Sequence, residues 1–307
     1  MGFKILVTPR SFTKDSEPLK MLQALGYEVV LNPFGRILTK AEMIELISDI
    51  DGVIVGLDPI DKEVLKHASR LKCISKYGVG TDNIDLAEAE RMGIPVTVTL
   101  GANKEAVADY TFALILSVAR KITEIDSECK QGNWGKITTV DVWDKTLGLI
   151  GLGNIGKGVA RRAMGFQMRV LAYDLYQDQA YADANHIEYV SLDTLLAESD
   201  FFSVHLPLTE QTYHLIGTDE INKMKETAII INTARGGLID EEALYLALKS
   251  QRIWGAGIDV FEEEPPSNKA FLELKNIIIG SHCAASTVEA VKNMGIMSSD
   301  NLVKNLL

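Results

Sequence analysis

Cysteine is scarce: Cys73, Cys129 and Cys283 lie far apart in 307 residues, and none pairs into a Cys-x-x-Cys. A disulfide framework and a cysteine-based zinc site are thereby excluded, and a reducing compartment is expected. No apolar stretch approaches the roughly 20 residues that cross a bilayer, so no membrane partner is expected. Nothing resembles His-Glu-x-x-His, and no metal centre is predicted. The chain also lacks a basic run and any interleaving of aromatic with basic residues, and its formal net charge is −11. A counterion-releasing face for nucleic acid is therefore excluded. An anionic ligand must instead be held by a few local cations against an unfavourable overall field. The run Met1-Gly2-Phe3-Lys4-Ile5-Leu6-Val7 has no small-residue cleavage site behind it. It predicts a first strand rather than a signal peptide, and with it a cytoplasmic protein. There is no internal repeat of solenoid period and no low-complexity segment.

What is present is an ordinary globular composition, 47% hydrophobic and 24% charged, long enough for about two domains. Strand-like runs at 4–8, 28–31, 52–55, 72–75 and 95–99 alternate with segments of helical spacing. In 41–50, for example, Met43, Ile44, Leu46 and Ile47 mark the buried side. This alternation predicts an α/β domain with a parallel sheet covered on both faces. Residues 104–130 contain no Gly or Pro and predict one long helix, leading out of the first domain and packed against another domain or subunit. Further strands are predicted at 146–150, 168–173, 201–204, 228–232, 254–258 and 276–279, six in all, the count of a full dinucleotide-binding sheet. The last helix, 287–307, has no place in that sheet, and its simplest home is the first domain. The expected fold is thus two doubly wound parallel-sheet α/β domains, with a Rossmann-type dinucleotide-binding domain (102–283) inserted into a discontinuous flavodoxin-like domain (1–101 and 284–307).

The strongest local signal is Gly151-Leu152-Gly153-Asn154-Ile155-Gly156, which follows a predicted strand and opens a helix marked by Val159, Ala160, Ala163 and Met164. In such a turn the first glycine permits the bend, the second lets backbone approach a pyrophosphate, and the third lets helix and strand pack closely. The helix N-terminus supplies N–H groups and positive dipole charge. Asp174 ends the next predicted strand about 20 residues on, where a carboxylate can bond both ribose hydroxyls. It would repel a 2′-phosphate, and no Arg follows in Leu175-Tyr176-Gln177, so NAD is favoured over NADP. The alternative for Asp174 is a solvated strand end. Gly151 to Lys157 also fits the start of a triphosphate-binding loop, but Gly158 stands where the magnesium-binding hydroxyl is required, and that reading is discarded.

Three later segments place polar residues at strand ends. Arg235 lies between a predicted strand and Gly236-Gly237, where its planar fork could face the ligand crevice and grip a carboxylate; a surface salt bridge is the plainer alternative. Glu262, Glu263 and Glu264 are consecutive, and the first two read as a solvated face. His282 stands just past the final strand. A site that moves a hydride to or from a secondary alcohol needs a base titrating near neutrality, which histidine supplies. Glu264 bonded to its other nitrogen would fix the tautomer and favour the imidazolium. A structural histidine is the alternative. Cys283 beside it is assigned to the core, since neighbours in extended chain point to opposite faces. His67 and His186 read as surface positions. His205 and His214 flank Leu206-Pro207-Leu208-Thr209 without evident partners.

At this point the chain resembles the D-isomer-specific 2-hydroxyacid dehydrogenase family along nearly its whole length. The resemblance rests on Tyr77-Gly78-Val79-Gly80-Thr81-Asp82-Asn83-Ile84-Asp85, Ala106-Val107-Ala108-Asp109, the glycine turn, His205-Leu206-Pro207-Leu208-Thr209, Asn232-Thr233-Ala234-Arg235-Gly236, Asp259-Val260-Phe261 through Glu264-Pro265, and His282. It implies NAD as cofactor and a small anionic 2-hydroxy or 2-keto acid as substrate. Arg235 would be the substrate anchor, His282 the acid/base and Glu264 its partner. Asp259 would support that network or meet the nicotinamide side. Gly78, Val79 and Gly80 would offer N–H groups to the substrate carboxylate, with Lys76 beside them. The implied cofactor set is Gly151, Gly153, Asn154, Ile155, Gly156, Asp174, Thr233 and Asp259. A homodimer and a cleft closing between two domains are implied as well.

Departures narrow the substrate. Many members carry arginine where this chain has Lys76. Phosphoglycerate dehydrogenases place arginine just after the third strand to hold phosphate, whereas this chain has Gly56-Leu57-Asp58-Pro59, and their long forms append a regulatory domain that this sequence lacks. Lys104 is a candidate compensating cation near the hinge. Glu264, where formate dehydrogenases carry glutamine, argues against that activity. A D-3-phosphoglycerate dehydrogenase and a non-catalytic NAD-sensing interaction protein on the same scaffold remain the alternatives.

Overall fold

The computed structural model describes residues 2–13 and 15–307; Met1, which opens the run read as a first strand, and Lys14 lie outside them. The chain forms two compact units, one from the residues up to Asn103 with Ser286–Leu307, the other from Lys104–Ala285.

The first unit runs β1 (Lys4–Val7), α1 (Glu17–Ala24), β2 (Glu28–Leu31), α2 (Lys40–Ile47), β3 (Gly52–Val55), α3 (Lys62–His67), β4 (Cys73–Lys76), α4 (Leu86–Arg91) and β5 (Val96–Val98). Among the described residues these strands make one parallel sheet in the order β2-β1-β3-β4-β5, the flavodoxin-like doubly wound order. Gly52-Val53-Ile54-Val55 of β3 is buried throughout, as parallel strands covered on both faces are. Helix starts are set by side chains that accept otherwise orphaned N–H groups: Thr39 caps α2 in a reciprocal box with Glu42, Asp61 caps α3 and Asp85 caps α4.

The second unit opens on α5 (Lys104–Ala119) and α6 (Ile122–Lys130), then runs β6 (Thr146–Ile150), α7 (Asn154–Gly165), β7 (Arg169–Tyr173), α8 (Gln179–Ala184), β8 (Ile187–Tyr189), α9 (Leu192–Glu198), β9 (Phe201–Val204), α10 (Thr218–Lys223), β10 (Ile229–Asn232), α11 (Glu241–Lys249), β11 (Gly255–Ile258), α12 (Lys269–Leu272) and β12 (Ile277–Ile279). The chain ends on α13 (Val288–Leu306), which belongs to the first unit. There Ser75 Oγ donates to the Ser298 carbonyl at 2.8 Å, and Gly295 leaves room for Pro18 of α1.

The second sheet, also parallel, has the order β12-β11-β10-β9-β6-β7-β8 among the described residues. It therefore holds seven strands where six were expected. The addition is β8, a three-residue edge strand in which only Ile187 is buried, too short and too polar to show a strand period. Alternation builds the two faces. Phe202, Val204 and Ile230 pack into one core, while Phe201, Ile229 and Ile231 pack into the other beneath α5.

Residues 104–130 are two helices rather than one. The break is at Lys121, in the left-handed region at φ 47°, a conformation costing roughly 1–2 kcal/mol for a residue with a Cβ. Its ammonium lies 5.3 Å over the Trp254 ring, a contact that offsets part of the cost. No Gly or Pro marked it. α5 buries Phe112, Leu114, Ile115 and Val118 in the core of its own unit. Gly158 of α7 lets that helix approach Ala108, and Arg162 pairs with Asp109 at 2.7 Å. Among the described residues no helix is long and apolar enough to cross a membrane.

Candidate active site

The glycine turn sits at the carboxyl end of β6, where the strand order reverses between β6 and β9, the crevice where open α/β sheets take ligands. Gly151 has φ 102°, and a Cβ there would fall 2.7 Å from the His205 carbonyl oxygen. A Cβ on Gly156 would fall 2.3 Å from the Gly151 carbonyl oxygen. Gly153 differs: nothing lies within 4 Å of where its Cβ would stand, so open space fronts the first turn of α7. Asn154 is exposed there, and Ile155 is partly buried against the core. Asp174 binds the same turn, its Oδ2 accepting the Leu152 N–H at 2.7 Å and its Oδ1 the Tyr176 N–H at 2.9 Å. A strained glycine, a bare helix N-terminus with space before it and a carboxylate at the next strand end fit NAD. Thr233 is buried, with its hydroxyl 3.0 Å from that of Thr111 in α5.

Arg235, Glu264, His282 and Asp259 all come from loops at the carboxyl ends of β10, β11 and β12. Asn232 shapes the arginine turn, its Nδ2 donating to the Arg235 carbonyl at 2.8 Å and its Oδ1 accepting the Ala234 N–H at 3.0 Å. Gly236 allows that turn to lie on the next loop, since a Cβ there would fall 2.1 Å from the Phe261 carbonyl. The Glu264 oxygens lie 2.9 and 3.1 Å from His282 Nδ1, and Oε1 also accepts the Phe261 N–H at 3.2 Å. Burial pushes the Glu264 carboxyl up. The hydrogen bond and charge of His282, the Phe261 N–H and the charge of Arg235 outweigh it and hold the group below the ordinary range. An ionised carboxylate only accepts, so Nδ1 carries the proton and Nε2 is the ring atom left for acid/base work. Both side chains keep 30% of their surface exposed, within reach of a ligand.

His282 itself is left-handed, at φ 56°. Three successive N–H groups hold it so, all on Asp259. That of His282 donates to the Asp259 carbonyl at 2.8 Å. Those of Cys283 and Ala284 donate to its two carboxylate oxygens at 3.0 and 2.8 Å. Gly280 admits the carboxylate, for a Cβ would fall 2.0 Å from Asp259 Oδ1 and 2.7 Å from the Tyr110 hydroxyl. Cys283 is half-buried rather than core, its Sγ 3.4 Å from that hydroxyl and 3.5 Å from Asp259 Oδ1. The alternation argument fails here because the chain at 282–284 is a turn and not extended. Tyr110 carried no sequence signal of its own, and Asn232 entered only as part of the motif around Arg235.

In the first unit Gly78 has φ 130°, and its N–H donates to Thr99 Oγ1 at 2.9 Å. Lys76 is buried, with its ammonium donating to the Gly56 carbonyl and, at 2.8 Å, to Asn83 Oδ1. Val79 is exposed on the same loop.

Known proteins share this arrangement of sequence and fold. A family model, the NAD binding domain of D-isomer specific 2-hydroxyacid dehydrogenases, matches residues 112–284. The chain is 44% identical over 273 residues to a glyoxylate reductase of Korarchaeum cryptofilum, covering 86% of this chain and 82% of that one. It is 40% identical over 307 residues to a D-3-phosphoglycerate dehydrogenase of Methanocaldococcus jannaschii, covering 99% of this chain but 57% of the relative. A D-lactate dehydrogenase from Aquifex aeolicus, solved with NAD and lactic acid, superposes with a TM-score of 0.86 at 30% identity, covering 98% of this chain and 94% of that one. With the glycine turn and its carboxylate in place, these matches make the chain an NAD-dependent oxidoreductase of the D-isomer-specific 2-hydroxyacid dehydrogenase family.

Proposed function

We propose that the protein reduces a short, unphosphorylated 2-keto acid to its 2-hydroxy acid, hydroxypyruvate to the D isomer or glyoxylate to the achiral glycolate, with His282 as proton donor. The observation that carries this reading is the Glu264–His282 pair at 2.9 Å, on a loop against which the Arg235 turn lies. Arg235 grips the substrate carboxylate and carbonyl oxygens with its planar fork. His282 Nε2 gives its proton to the carbonyl oxygen, and Glu264 stabilises the imidazolium before transfer. Gly151, Gly153, Asn154, Ile155 and Gly156 would hold the pyrophosphate of NADH, Asp174 its ribose and Thr233 its nicotinamide end, and the cofactor so held would supply the hydride for the carbonyl carbon. Asp259 acts there through the turn it closes.

In the first unit we assign substrate-carboxylate binding to the N–H groups of Val79 and Gly80. Gly78 supplies the bend, and Lys76 holds the loop and adds positive potential. For assembly, a homodimer is supported by α6, which has no buried residue, and by the exposed Trp134 (84%) and Trp143 (54%) that follow it. A second copy would cover the exposed Ile122, Trp134 and Trp143. The three free thiols accord with the reducing cytoplasm.

The second reading, a phosphoglycerate dehydrogenase, is favoured by the 40% identity along 99% of the chain. Against it stands Asp58, an acid in the stretch where a phosphate would need a cation, bonded to Thr8 Oγ1 and the Leu38 N–H. NADH and NADPH oxidation over glyoxylate, hydroxypyruvate, pyruvate and 3-phosphohydroxypyruvate separates the two. Turnover with NADH on the unphosphorylated acids is expected. Preference for the phosphorylated acid would replace this reading by the second.

A further inference from the structure

His214 takes no part in the chemistry above, yet it touches both loops that carry it. The segment containing it runs beside the arginine loop, with Ile216 bridged to Ile239 in parallel, the Ile216 N–H on the Leu238 carbonyl at 3.1 Å and the Asp240 N–H on the Ile216 carbonyl at 2.9 Å. His214 is left-handed at φ 51°, which turns its N–H onto the Gly237 carbonyl at 2.6 Å. Its ring reaches the other way, Nε2 lying 2.8 Å from Glu262 Oε1. Glu262 is exposed, as its sequence context suggests, but it is not without partners. Its own N–H donates to Glu241 Oε1 at 2.6 Å, and the Tyr213 hydroxyl donates to its Oε2 at 3.4 Å. Tyr213 stacks on the His214 ring at 3.9 Å and covers Gly237. Asp240 Oδ2 stands 3.7 Å from Nδ1, so the ring faces Asp240, Glu241 and Glu262 together. Against a carboxylate the ring nitrogen must donate, which puts a proton on Nε2.

We infer that His214 is a positioning residue that ties the Arg235 turn to the Glu264 turn, holding substrate anchor and acid/base pair in register. One residue bonds Gly237, two past Arg235, and Glu262, two before Glu264. Between those bonds the loops meet backbone to backbone at Gly236, with no side chain on that glycine to lock them. Charge-assisted hydrogen bonds are the stronger kind, and a misplacement near 1 Å at a reacting centre costs about 10²-fold. The tie rests on the dehydrogenase reading for its purpose, though not for its geometry.

The test compares His214→Ala, His214→Gln and Glu262→Ala with wild type in 2-keto acid reduction, NADH binding and thermal melting. The alanine variants are expected to lose about tenfold or more in kcat/KM, the scale of a lost hydrogen bond to a charged group, with the KM for the keto acid raised and NADH affinity unchanged. Gln keeps an N–H donor and should recover most of the loss. The double alanine variant should be no worse than either single one. Equal losses in His214→Gln and His214→Ala, or unchanged kinetics in both alanine variants, would overturn the inference. A loss that vanishes when each variant is assayed well below its melting point would do the same. The ¹⁵N resonances of the His282 ring give a readout independent of turnover. His214→Ala should blur the single Nδ1–H tautomer of wild type even if no acid is reduced. An unchanged tautomer with unchanged kinetics rejects the tie, whereas a blurred tautomer in a protein without turnover rejects the dehydrogenase reading alone.

Discussion

Two turns at the carboxyl end of the same sheet are built on opposite principles. The turn at 151–156 is defined by side chains that are missing: its backbone closes on itself and on His205 because Gly151 and Gly156 carry no Cβ. The turn at 280–284 is defined by one side chain that is present, the buried Asp259 carboxylate, which gathers two N–H groups beyond His282. The first makes a surface for a ligand's charge, and its shape comes mainly from its own glycines, with the His205 carbonyl and the Asp174 carboxylate against it. The second aims one imidazole, and its determinant lies on another strand. The glycines of a cradle can thus be written in one short stretch of chain, while the placement of the His282 ring is a tertiary property.

The comparison predicts different failures. The largest is at the aimed group: His282→Ala should lower kcat by roughly 10²–10⁴-fold while NADH still binds, as steady-state rates and fluorescence titration would show. Next comes the residue that aims it. Asp259→Asn keeps one accepting oxygen and sets an NH₂ against a backbone N–H, leaving a buried donor unpaired at about 1–3 kcal/mol. If the turn serves catalysis, kcat should fall by roughly ten- to a hundredfold; a variant that melts early but turns over normally would reduce Asp259 to a structural role.

In the glycine turn the two kinds of glycine should separate. Gly156→Ala forces strand and helix apart, an overpacking cost of about 1–3 kcal/mol, and should lose both stability and NADH affinity. Gly153→Ala meets no protein atom within 4 Å, so its melting temperature should hold while NADH affinity drops. Equal melting losses in the two would deny that the space before α7 is a ligand's place.

The smallest effect lies beneath the turn. Burial pushes His205 down to about 3 from an ordinary value near 6.5, with its Nε2 on Ser203 Oγ at 2.8 Å. As pH falls the unfolded chain takes the proton first. Stability is therefore whole above about pH 6.5 and declines between 6.5 and 3. Denaturant melts at pH 7.5 and 5 should show this slope in wild type and a shallower one in His205→Asn.

Much of this was legible in the sequence. The strands of both sheets announce themselves as short apolar runs because parallel strands are buried on both faces. The glycine turn is legible because backbone strain admits only glycine at fixed spacing. β8 was hidden because an edge strand of Ile-Glu-Tyr has one buried residue. The break at Lys121 was hidden because it rests on a contact with Trp254, distant in sequence. Arg235, Glu264, His282 and, through the resemblance, Asp259 could be singled out, but the other groups that hold these loops could not. Tyr110 and His214 act through tertiary hydrogen bonds that leave no local pattern, and the pairing of the exposed Glu262 with His214 is hidden because 48 residues separate them.

Glu264 and His282 are proposed to work as one acid/base unit, and a double-mutant cycle on keto-acid reduction tests that most directly. Glu264→Gln should slow wild type severalfold or more yet cost nothing further in a His282→Ala background, since the carboxylate acts only through the ring. The same fold loss from Glu264→Gln in both backgrounds would contradict it.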